Sequence, residues 1–117
     1  MISENFSRSE FSCGCGCGFD VVDVELLAAL ETVRGYFRMP VRVTSGARCK
    51  AHNRQVGGSK SSQHILGKAA DIQVDQVPST DVYAFLDEQY PDKYGLGLYS
   101  GWVHIDSRAN KARWGEK

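Results

Sequence analysis

The chain has 117 residues, enough for one domain with a modest core. Its 14 Lys+Arg residues balance its 14 Asp+Glu residues, which removes the charge footprint of a nucleic-acid binder or a basic membrane-surface helix. No apolar run approaches the roughly 20 residues of a membrane span, and the start, "MISENFSRSEF", lacks the basic and apolar stretches of a signal peptide. The expectation is a single domain over residues 1–117, made in the cytoplasm, acting as a monomer, with no nucleic-acid partner and no membrane insertion.

The elements follow in chain order. "SRSE", Ser7 to Glu10, reads as a capping box that starts a short helical turn between two core anchors, Phe6 and Phe11. A glycine-rich loop, "CGCGCG", carries Cys13, Cys15 and Cys17; Cys49 stands apart. Paired zinc ligands are usually spaced by two to four residues, so C-x-C-x-C is a poor match. Free thiols are the plain reading, with a disulfide or a second metal as alternatives. Asp20 or Asp23 caps a helix over "DVELLAALETVRGYF", whose Val24, Leu27, Ala28, Leu30 and Val33 recur at helical spacing. "VRVTS" reads as a strand with Val41 and Val43 on one face. A turn, a short helix and a glycine loop follow in "GARCKAHNRQVGGS". "AADIQV" is a second strand, with Ala70, Ile72 and Val74 on its apolar face and Asp71 and Gln73 on the other. Pro78 breaks the chain, and Ser79 or Thr80 caps a helix with Val82, Phe85 and Leu86 inward, stopped by Pro91. "GLGLY" and "WVHIDS" read as a hairpin joined through Ser100-Gly101. The sum is an α+β domain, a small antiparallel sheet with two main helices.

Three histidines exist: His52, His64 and His104. Strand alternation puts His104 and Asp106 on the face opposite Val103 and Ile105. If the strands bearing Asp71 and His104 are neighbours, the two share a polar face, and the loop through Gly67 can bring His64 alongside. Two neutral imidazoles and one carboxylate suit a catalytic zinc, leaving a fourth position open for water. The same donors suit other transition metals. A strand histidine is more often a hydrogen-bonded surface residue, so spacing alone leaves both readings open. The H-E-x-x-H helix signature is absent.

Three ordered motifs carry a family resemblance. Ser62, His64, Gly67, Ala69 and Asp71 in "SSQHILGKAAD" resemble the S-x-H-x-x-G-x-A-x-D motif of the D-Ala-D-Ala carboxypeptidase family of zinc peptidases. "VHID" is similar to its later H-x-D element, and "VTSGARCKAHNRQVGG" to its arginine segment, with Arg48 and Asn53 in place. The likeness runs from about Val41 to Trp114 and looks nearest to the small single-domain branch of cell-wall carboxypeptidases and phage or prophage lysins.

The resemblance implies one zinc ion held by His64, Asp71 and His104, and a peptidoglycan stem peptide or cross-link containing D-amino acids as substrate. It also implies a fold shared with the Hedgehog signalling domain. The alternative it permits is a catalytically inactive, zinc-containing binding module of Hedgehog-like type. One position departs from the pattern: the best-known members carry an acidic general base three residues before the last histidine, where this chain has Gly101. Asp106 is the first substitute for that base, or else it orients His104; His52 is a weaker candidate. Arg48 is read as the oxyanion or carboxylate partner. Ser62 and Gln63 are read as substrate-binding or loop-capping, and Gly67 and Ala69 as structural. Tyr99, Trp102 and Trp114 could form a cleft wall against glycan or peptide, but aromatics at strand ends are more often core, so they are left outside the site; Arg108 and Arg113 are read as partners of nearby acids and receive no role in it. An endolysin working on the cell wall is the form this expectation takes; endopeptidase and carboxypeptidase action are not separable from sequence.

Overall fold

A computed structural model of the chain describes residues 2–58 and 62–115. The end of the glycine loop, including Ser61 of the first motif, lies outside them, as do the extreme termini. A 3-10 turn, Arg8–Phe11, starts where the capping box places it, with the Glu10 carboxylate accepting the Ser7 N–H at 2.7 Å. Then come α1 (Val24–Phe37), β1 (Val41–Ser45), α2 (Lys50–Gln55), a second 3-10 turn (Gln63–Leu66), β2 (Ala69–Val74), α3 (Ser79–Gln89), β3 (Gly95–Leu98), β4 (Val103–Asp106) and β5 (Ala112–Gly115). Among the described residues no helix is long and apolar enough to cross a membrane.

The strands form one sheet in the order β1-β2-β4-β3-β5. The first four pair antiparallel, while β5 runs parallel to β3. The α+β class holds, with α1 and α3 as the two main helices and α2 as the expected short one; the sheet is mixed rather than wholly antiparallel, because β5 joins it parallel. One face carries the core: Val41, Ala70, Ile72, Val74, Leu96, Val103 and Ile105 pack under α1 and α3. Phe6 and Phe11 close one end at 0 % exposure, as anchors must, each such ring contributing on the order of 1.5–3 kcal/mol by its burial.

Two local expectations need correction, the buried face of α1 and the cap of α3, and two others are met. α1 buries Leu26, Ala29, Leu30 and Val33, whereas Val24 is 80 % exposed and Ala28 faces solvent. Both sets have helical spacing because "ELLAAL" is apolar on most sides, and the tighter i, i+3, i+4, i+7 stripe won. Of the two expected caps, Asp23 is the one that closes α1, accepting the Glu25 and Leu26 amides. Pro78 itself takes the cap position of α3, its carbonyl accepting the Asp81 and Val82 amides at 3.0 and 3.2 Å. β3 and β4 form the expected hairpin through Ser100-Gly101, closed by the Tyr99 N–H to the Trp102 carbonyl at 3.1 Å.

Candidate metal centre and cleft

The site is a single row drawn across the sheet. Cα partners run Ser45–Asp71, Asp71–His104, His104–Gly97 and Gly97–Trp114, so one line crosses all five strands. Side chains in such a row emerge on one face, here the face away from α1 and α3. Gly97 is in this row because Trp114 lies over it: a Cβ there would come within 2.3 Å of Trp114 Nε1.

His64 reaches the row from the 3-10 turn before β2. Ser62 Oγ caps that turn by accepting the His64 amide at 3.2 Å, and Gly67 ends it at φ 68, where an added Cβ would strike the Val21 carbonyl at 2.5 Å. The His64 ring is 3 % exposed. Its Nδ1 lies 2.7 Å from the Gly46 carbonyl, which only accepts, so Nδ1 carries the proton and donates it. Nε2 is then left to face Asp71 Oδ1 at 3.5 Å. A lone pair against a carboxylate calls for a proton or a cation between them.

His104 sits between two carboxylates. Nδ1 lies 3.1 Å from Asp71 Oδ1, and Nε2 lies 2.8 Å from Asp106 Oδ2. His64 Nε2, Asp71 Oδ1 and His104 Nδ1 thus converge, and one ligand atom from each residue lies within 4.8 Å of the others. Corners of a tetrahedron with metal–nitrogen distances of about 2.0–2.1 Å are roughly 3.3 Å apart, which the 3.1 and 3.5 Å separations bracket. The donor set therefore fits one zinc ion, with two neutral nitrogens and one charged oxygen.

Asp106 does not face the cleft. It is 0 % exposed. Oδ1 accepts from the Gly95 amide (3.1 Å), the Arg108 amide (3.2 Å) and Arg108 Nε (2.7 Å), and Oδ2 from Arg108 Nη2 (2.8 Å) as well as His104. Room for it comes from Ala69 and Gly95, its partners on either side; a Cβ on Gly95 would lie 2.4 Å from Oδ2. With its lone pairs committed, Asp106 cannot take a proton from the cleft. Its place is to hold His104 by Nε2–H and so keep Nδ1 free. His52, the weaker base candidate, faces the cysteine loop instead, where a Cβ on Gly14 would meet its Nε2 at 3.2 Å.

The cleft over this centre has a volume of about 400 Å³ and is walled by Arg48, Gln63, Tyr99, Trp102, Arg108 and Trp114, with Ser62 at its edge. Arg48 is held by Asn53 Oδ1 at 2.9 Å and Ser45 Oγ at 3.3 Å, and among the described residues it has no carboxylate partner. Tyr99 and Trp102 stack at 4.8 Å with 7° between their planes, and Trp114 Nε1 donates to Tyr99 Oη at 2.9 Å. These aromatics form the cleft wall that the sequence offered as one reading, although the commoner core reading left them outside the expected site. Their signal was position: they bracket the ends of the strands that carry His104 and Gly97. Arg108, left without a role, is the clamp on Asp106. Among the described residues, the only carboxylate lining this cleft is Asp71.

Burial raises the Asp71 carboxyl, but hydrogen bonds from His104 and His64 outweigh it and bring it to about 2. Burial lowers the His104 imidazolium, and the hydrogen bonds to Asp106 and Asp71 outweigh that and raise it above 6.5. In the metal-free chain, protonated His104 therefore stabilises the fold fully below pH 6.5, and this contribution is lost as pH rises through the elevated value. Asp71 acts the other way, contributing above pH 3.8 and losing that contribution as pH falls toward about 2. Urea midpoints of chelator-treated protein are expected to be highest between these limits and to fall as pH rises above 6.5 through the raised His104 value; His104→Gln should flatten that alkaline decline.

A family model described as Peptidase M15 matches residues 4–106, reaching back from the histidine motifs to the N-terminal turn and the cysteine loop. No curated protein sequence matches the chain.

Proposed function

Because this chain belongs to the peptidase M15 family, we propose that it is a zinc metallopeptidase that hydrolyses peptide bonds in bacterial peptidoglycan stem peptides or cross-links, with one zinc ion held by His64, Asp71 and His104. The observation that carries this reading is the convergence of His64 Nε2, Asp71 Oδ1 and His104 Nδ1 at the floor of an open cleft. Zinc bound there would polarise a scissile carbonyl and acidify water.

The chain's own residues do the rest. Asp71 supplies the sole negative charge to the ion. Gly46 fixes the His64 tautomer from one side of the site, and Asp106, gripped by Arg108, fixes that of His104 from the other. Arg48, held by Asn53 and Ser45 and without a carboxylate partner among the described residues, lines the cleft, where it can hold a substrate carbonyl or C-terminal carboxylate and stabilise a developing oxyanion. The Tyr99, Trp102 and Trp114 wall offers flat apolar surface to a peptide or its attached sugar and excludes water from one side.

Purified wall and defined stem peptides supply the test. The wild type is expected to release fragments whose masses identify the cleaved bond, while His64→Ala releases none above background. Among the described residues Asp71 is the only carboxylate lining the cleft, which favours one other reading, a binding module that keeps its zinc for structure. Wild-type protein that holds zinc at His64, binds wall and cleaves nothing would establish that reading in place of the first.

A further inference from the structure

The cysteines form a second cluster that the peptidase reading does not use. Cys13, Cys15 and Cys17 lie on the loop after the first 3-10 turn, and Cys49 sits at the cap of α2. None is in a disulfide. They are nonetheless gathered: Cys13 Sγ lies 3.5 Å from Cys15 Sγ and 3.8 Å from Cys49 Sγ, and Cys15 Sγ lies 3.7 Å from Cys49 Sγ. Cys17 joins them, with all four sulfurs within 4.8 Å of one another. Sulfurs at the corners of a zinc tetrahedron with Zn–S of about 2.3 Å are roughly 3.8 Å apart. The three measured edges have that size. No two of these sulfurs are bonded to each other, and an iron–sulfur cluster with several irons would need wider spacing.

The spacing that seemed wrong for zinc works because the loop is curled. Gly16 and Gly18 stand at φ 81 and 89, left-handed conformations that replace the two-residue turn of ordinary zinc knuckles. The Cys13 N–H to the Phe19 carbonyl (2.7 Å) and the Gly16 N–H to the Cys13 carbonyl (3.1 Å) close the curl. Backbone amides also point at sulfur: Cys49 N–H to Cys13 Sγ and His52 N–H to Cys49 Sγ, both at 3.4 Å. Amide donors favour the thiolate, the form a metal takes.

We infer that Cys13, Cys15, Cys17 and Cys49 hold a structural zinc ion. Four thiolates close the coordination sphere, so this ion takes no substrate. It ties the N-terminal loop to the Gly46–Cys49 turn, which meets the Phe11 carbonyl through the Ala47 N–H at 2.8 Å. That turn supplies the Gly46 carbonyl to His64 Nδ1, and the Arg48 amide to the His64 carbonyl at 2.9 Å. The ion therefore braces the wall that fixes His64.

Metal analysis of the full chain purified under reducing conditions is expected to give two zinc ions. His64→Ala should keep one and Cys49→Ser should keep the other. Cobalt loaded into His64→Ala should show thiolate-to-cobalt charge-transfer bands, with its thiols shielded from alkylation until the ion is stripped. This readout holds whether or not Cys49→Ser folds. No cobalt–thiolate bands in His64→Ala, thiols alkylated at the denatured rate with zinc present, or a native disulfide in the intact mass would overturn the inference. A chain that cleaves nothing yet keeps its thiol-bound ion would refute the peptidase reading and leave this one standing.

Discussion

Asp71→Asn is expected to lower zinc affinity at the histidine site at least about a thousandfold and to remove hydrolysis with it. Asp71 brings the only negative charge to an ion otherwise held by two neutral rings. Unit charges 4 Å apart at an effective dielectric of about 20 attract by roughly 4 kcal/mol, already near a thousandfold, and a bound divalent ion would be closer and doubly charged. Asparagine keeps the shape and the acceptor oxygen, so the fold should survive when the protein carries zinc at its cysteines. In the metal-free chain the substitution also removes one of the two carboxylates that hold His104 protonated, so part of the alkaline loss of stability should vanish. Competition with a chromophoric chelator measures the affinity. An unchanged affinity would mean that Asp71 is not a ligand, and among the described residues the only other acid touching His104 is Asp106, whose oxygens are already filled.

Much of this centre was legible because strands alternate. Asp71 and His104 each sit opposite apolar neighbours in short strands, and period-two geometry alone puts them on a polar face. What sequence lacked was the register, and the register Asp71–His104 turns a shared face into direct contact. The rest was hidden for identifiable reasons. β5, "ARWG", has no alternation of its own and is specified by docking parallel to β3, a long-range pairing. The glycines of "GLGL" look like weak strand residues until Asp106 and Trp114 are seen lying across them. Asp106 looked available because "VHID" gives its face but not its neighbours; Arg108, two residues on, folds back over it. For the cysteines, a second metal stood only as an alternative to free thiols because spacing rules assume ordinary turns, and two left-handed glycines supply a different one.

Asp106→Asn separates orientation from proton transfer. Every donor around this carboxylate points inward: the Gly95 amide, the Arg108 amide and guanidinium, and His104 Nε2. An asparagine amide must turn its NH₂ group toward some of them. Turned toward Oδ2, it opposes both Arg108 Nη2 and His104 Nε2–H, so His104 would move its proton to Nδ1, the nitrogen that zinc needs. Turned toward Oδ1, it opposes three donors. Partners of metal-bound histidines are commonly worth about 10–100-fold in metal affinity. Breaking a buried ion pair costs about 3–5 kcal/mol, to be discounted here because Arg108 is 34 % exposed. The expected result is weaker zinc binding, a lower unfolding midpoint, and activity regained in large part at saturating zinc. A general base behaves otherwise: its loss would cut kcat about 10²–10⁴-fold with zinc occupancy intact. If excess zinc restores occupancy but no turnover, Asp106 moves a proton after all, and the closed arrangement around it must open during the reaction.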